Sequence, residues 1–100
     1  MSSDYYYLIT TFVGDRYLGG DEANDDAELS EKLSTALEVC KAKSRETHLA
    51  YSVGVGLLSR SVIFSEHLAD YIIVEGGVMR LTKDKNGEGH MEILERIEGV

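Results

Sequence analysis

One stretch of this chain has a sustained helical period, and it stands alone. Leu29, Leu33, Ala36, Leu37 and Cys40 recur at i, i+4, i+7, i+8 and i+11, which puts them on one stripe of an α-helix with Glu31, Lys32, Ser34, Glu38 and Lys41 facing outward. Asp25 or Asp26 can cap the first amides, and Lys41 and Lys43 sit where the helix dipole favours cations. The spacing predicts a helix over about residues 26–43. Its apolar stripe needs a surface to cover, and the rest of the chain reads mainly as strand. The fold class that follows is α+β: one small domain over residues 1–100, a mainly antiparallel sheet with one long amphipathic helix packed on it.

The strand signals come from residue type and alternation. Residues 5–13 are β-branched and aromatic almost throughout, and both alternating rows are apolar, which predicts a strand covered on both sides or central in its sheet. Gly14-Asp15 breaks that run, Tyr17-Leu18 returns briefly as a hairpin partner, and Gly19-Gly20 opens a polar loop. Residues 49–58 alternate Tyr51, Val53, Val55 and Leu57 against Ala50, Ser52, Gly54, Gly56 and Leu58. Two glycines inside a helix would cost roughly 1 kcal/mol each, so a strand is preferred, with the helix expected on the glycine side. Residues 61–74 fit two periods; we read a short helix around 65–70 and then a strand. Glu75-Gly76-Gly77 makes a turn. A hairpin follows over 78–82 and 91–94, with Asn86-Gly87 suited to a type I′ turn, while Met91, Leu94 and Ile97 also fit a last helical turn.

Composition excludes several functions. The chain holds 10 Lys and Arg against 18 Asp and Glu, a net charge of −8. Coating of nucleic acid draws its affinity from basic charge, so direct nucleic-acid binding is not expected. A lone cysteine and the lack of a signal-like opening point to a reducing cytoplasm. Apolar runs stop at about four residues, far short of a membrane span.

Motifs for chemistry are sparse. Cys40, His48, His67 and His90 occur singly, without the spacing of a zinc site. Glu66 and Asp70 would share a helix face beside His67, a pattern more often a solvated surface than a ligand set. Residues 84–88 lack the glycine and glutamate positions of a calcium loop. Cys40 lies on the apolar stripe past the helix middle, as a core thiol does. Ser59 and Ser61 have no nucleophile elbow around them. Gly54-Val55-Gly56 lacks the third glycine of a dinucleotide loop and the lysine of a phosphate loop. No catalytic residue, metal or cofactor is implied.

Charge is the most uneven property of the sequence. Residues 1–28 hold seven acids and one base, and five of those acids, Asp21, Glu22, Asp25, Asp26 and Glu28, fall within eight positions. Such a run is ordinarily a solvated loop and helix start. Its functional reading is a patch that meets a basic surface on a protein partner. Tyrosine outnumbers phenylalanine six to two, and Tyr5, Tyr7 and Tyr17 lie near the acids, amphipathic in the way contact surfaces favour. By elimination the sequence reads as a small acidic non-catalytic binding protein: an inhibitor, adaptor or regulatory subunit acting by protein contact, with a homo-oligomer left open. One alternative is a winged-helix-like nucleic-acid regulator, with 61–74 as recognition helix and 78–94 as wing. The other is a small ligand-binding or enzymatic domain using Glu66, His67 or Asp70.

Overall fold

The computed structural model describes residues 4–97. Its elements run β1 (Tyr5–Val13), β2 (Arg16–Ala23), α1 (Asp26–Thr47), β3 (Tyr51–Ser59), β4 (Ser65–Val74), β5 (Gly77–Lys83) and β6 (Gly89–Glu95). The strands form one antiparallel sheet in the order β2-β1-β3-β4-β5-β6. The helix lies across one face, as the single apolar stripe requires.

Helix α1 is one turn longer than its periodicity suggests. Asp25 is the N-cap, its side chain accepting from the Glu28 amide at 2.7 Å, and His48 ends the helix in the left-handed conformation, donating its amide to the Ser44 carbonyl at 2.9 Å. Beneath the helix lie Ile9, Val53, Val55, Ala69, Tyr71, Ile73 and Val78, with Cys40 projecting into them. Lys41, expected on the outer face, is instead 7% exposed. Its aliphatic stem is covered while its ammonium meets Glu38 at 2.6 Å and Glu95 of β6 at 2.9 Å. Long basic side chains can bury a stem and still keep the charge satisfied, and here the carboxylates of Glu38 and then Glu95 raise the ammonium pKa. Ser44 ties the same end of the helix to the β4–β5 turn, its buried Oγ accepting from the Gly76 amide at 2.9 Å. That turn has positive φ at both Glu75 and Gly76, the conformation of a tight two-residue hairpin.

Three expectations about these elements are corrected. Residues 65–70 are not a helix but the first half of β4, because pairing with β3 satisfies their backbone. Beyond Tyr17-Leu18 the chain does not become a loop: Gly19 to Ala23 continue β2 along β1, so Asp21 and Glu22 are strand residues. The Asn86-Gly87 pair sits in a five-residue connection, where Asp84 Oδ1 accepts the amides of Asn86 and Glu88 and only Gly87 has positive φ. The closing strand expected over 91–94 is present as β6, and Met91 and Leu94 lie in it, not in a last helical turn.

The register separates the two faces of the sheet. Thr11, Val53, Tyr71, Arg80 and Glu92 form one continuous row, and Val13, Tyr51, Ile73 and Val78 the next, both on the helix side. The alternate residues point the other way. Phe12, Ser52, Ile72, Met79 and Ile93 make one row there, and Thr10, Gly54, Asp70, Leu81 and Met91 another. Gly54 and Gly56 therefore face away from the helix, contrary to the sequence reading. A helix seats on Val53 and Val55 because burying branched side chains removes more apolar surface from water than burying glycine.

Candidate functional site

The acidic segment does not present bare charge. Lys32 reaches Asp21 at 3.3 Å and Glu28 at 3.2 Å, and donates to the Glu22 carbonyl oxygen at 2.6 Å. Glu28 and then Asp21 raise the lysine pKa. Glu22 lies 3.9 Å from Arg60, Asp25 caps the helix, and Asp26 accepts a hydrogen bond from the Tyr7 hydroxyl, which raises the phenol pKa. All five acids thus have a local partner. The tyrosines are divided between two places: Tyr5 and Tyr7 line a shallow cleft with Asn24, Asp25 and Asp26, while Tyr17 lines another with Asp21, Glu22, Glu28 and Lys32.

The residues considered for chemistry are rearranged. A β-bulge opposes Gly54, Val55 and Gly56 to four residues, 67–70. In a regular strand residues three apart point to opposite faces, but the extra residue at Leu68 turns His67 and Asp70 to the same side. His67 Nε2 meets Asp70 Oδ2 at 2.8 Å. Glu66, expected as Asp70's neighbour on a helix, is instead opposite Leu57. Gly54 makes room for this pair: a Cβ there would stand 3.0 Å from Thr10 Oγ1 and 3.4 Å from Asp70 Oδ1. A carboxylate-held histidine can relay a proton, yet no group of three or more metal-binding side chains forms among the described residues. Cys40 is buried and not part of any such site; burial raises its thiol pKa, with Lys43 acting in the opposite sense.

The larger feature is the face on which that pair sits. Leu8, Phe12, Leu58, Ile72, Val74, Met79, Leu81, Met91 and Ile93 project from it, and no element of the described chain covers them. Met91 is 64% exposed and Ile93 55%. At one end Ile72, Val74, Met79, Ile93 and Ile97 line an apolar groove of about 210 Å³. At the other, Arg60 stacks 4.4 Å over the Tyr6 ring. Beside that end the β3–β4 loop holds Val62 and Ile63 out to solvent, gripped at its base by Asp4, which accepts from both Ser59 and Ser61 hydroxyls.

A signal for this face exists in the sequence. Residues 5–13 and 71–74 are apolar in both alternating rows, but the chain supplies one amphipathic helix, and one helix covers one face. No helix of the described residues is long and apolar enough to cross a membrane. Comparison of the chain with protein-family models, with curated proteins and with solved structures finds no match.

Proposed function

We propose that this protein is a non-catalytic protein-contact module whose docking surface is the sheet face opposite α1. The observation that carries the reading is the double apolar character of the sheet beneath a single helix. Exposed apolar patches of this extent mark contact sites in folded domains. The acidic segment 21–28 takes a lesser part than its charge suggests, because its carboxylates are engaged by Lys32, Arg60, Tyr7 and the α1 amides. A basic partner would meet a partly neutralised rim. The winged-helix alternative loses its recognition helix, since 65–74 is strand. Paired affinity capture tests the reading. The wild type should retain a stoichiometric protein that Ile72→Lys with Met79→Lys releases and Ser30→Lys with Ser34→Lys, on the outer helix surface, keeps. Equal retention by all three would refute it.

A further inference from the structure

The protein-contact reading leaves the occupant of the uncovered face to be identified, and three properties of that face point to one. The first is charge. Although the chain carries −8 overall, the acids whose register places them on this face are Glu22 and Asp70, matched by Arg60 over Tyr6 and by Lys83 at the end of β5. A like-charged copy is repelled elsewhere but not here.

The second is size. Six strands about 4.8 Å apart, seven to ten residues long at ~3.3 Å each, give a face on the order of 700 Å². A standard stable interface takes about 800 Å² from each partner. The third is the state of the sheet edges. Both edge pairings are interrupted by bulges, at Leu18 in β2 and Leu94 in β6. Asp21 and Glu22 on the first edge, and Glu92 and Glu95 on the second, add charged side chains held in ion pairs with Lys32, Arg60, Arg80 and Lys41. Bulged, charged edges resist strand addition, so face packing is the open route. We propose that the uncovered face packs on the same face of a second copy, giving a two-fold sandwich of two sheets with the helices outside. The relief of the face suits this: a strip of small residues, Ser52, Gly54 and Gly56, runs along β3, filled at Gly54 by Thr10 and the His67–Asp70 pair, and β4 separates it from the β5–β6 ridge of Met79 and Met91. A two-fold axis sets each ridge on the other copy's strip.

This inference rests on the protein-contact reading, and light scattering on the eluting protein separates the two. The wild type should show twice the 11.1 kDa chain mass. Ile72→Lys with Met79→Lys should raise the dissociation constant about 100-fold, whereas Ser30→Lys with Ser34→Lys should leave it unchanged. Should the first pair not fold, Met91→Lys, on the exposed edge strand, gives the same readout. A dimer that survives the face substitutions, or a wild type of single-chain mass at millimolar concentration, overturns the proposal. In the second case capture decides further: a different protein released by the face pair leaves the contact reading standing, and one held equally by every variant removes both.

Discussion

Ile72 and Ile73 are adjacent on β4 and meet opposite fates. Ile73 lies under α1 at 0% exposure, touching the core of Ile9, Val53 and Cys40, while Ile72 lies half-buried on the other side between Ser52 and Met79. The same division runs through Val53 and Gly54, and through Val78 and Met79. A strand turns successive side chains to opposite faces, so one apolar run supplies two surfaces and one helix can close only one of them. The covered face holds the chain together. The uncovered face has apolar area whose removal from water is worth about 25 cal/mol per Å², available only when something else is laid on it.

The largest test of this contrast is a matched pair of truncations. Ile73→Ala should cost about 3 kcal/mol in urea unfolding, the usual range for a buried branched side chain. Ile72→Ala, at dilutions where the chain is a monomer, should cost under about 1 kcal/mol. Equal losses would mean that the second face is already covered. Next is Ser44→Ala, which leaves the Gly76 amide without its acceptor between helix and turn. An unsatisfied buried amide is worth about 2 kcal/mol, so the melting temperature should fall while the uncovered face is untouched.

Smaller effects separate the helix from its acids. Asp25→Ala removes the N-cap and should cost about 1 kcal/mol, whereas Asp21→Asn should change stability by less than about 0.5 kcal/mol. Cys40→Ala should also cost about 1 kcal/mol. The native thiol should label slowly at neutral pH, since burial raises its pKa and keeps the thiolate scarce. A raised thiol pKa gives a contribution that is whole below the unfolded thiol's pKa and is lost as pH climbs through the folded value, so alkaline titration should weaken the covered face. Fast native labelling would place Cys40 outside the core.

The smallest effect belongs to the β5–β6 connection. Asp84 is held below its ordinary pKa by His90 first and then by the Glu88 amide. A lowered carboxylate pKa stabilises above the ordinary range and is lost as pH falls through the folded value. With the intrinsic slowing of exchange in acid divided out, the protection of the Asn86 and Glu88 amides should therefore fall as pH drops, while that of Val53 and Ile73 stays the same.

Much of this architecture can be read along the chain. The stripe from Leu29 to Cys40, the cap at Asp25 and the strand character of residues 5–13 and 51–58 are local properties, each decided by neighbours within a few positions. The acidic run at 21–28 is equally plain, but its neutralisation is not: Lys32 lies a turn further along the helix and Arg60 beyond the next strand. Residues 65–70 misled because Leu68, Tyr71 and Ile72 satisfy both periods, and only β3 alongside could choose.

The sequence by itself determined that one helix and several strands would form, and that Cys40 would sit in the core, because period and residue type act over short range. The tertiary structure alone decided which face of the sheet the helix took. Gly54 and Gly56 invited it, but Val53, Val55 and Ile73 offered more apolar surface for burial. It also decided the meeting of His67 with Asp70, which depends on a bulge set by the pairing of two strands. Sheet register is a long-range quantity, fixed by how apolar rows from distant segments align, and no window of the chain contains it.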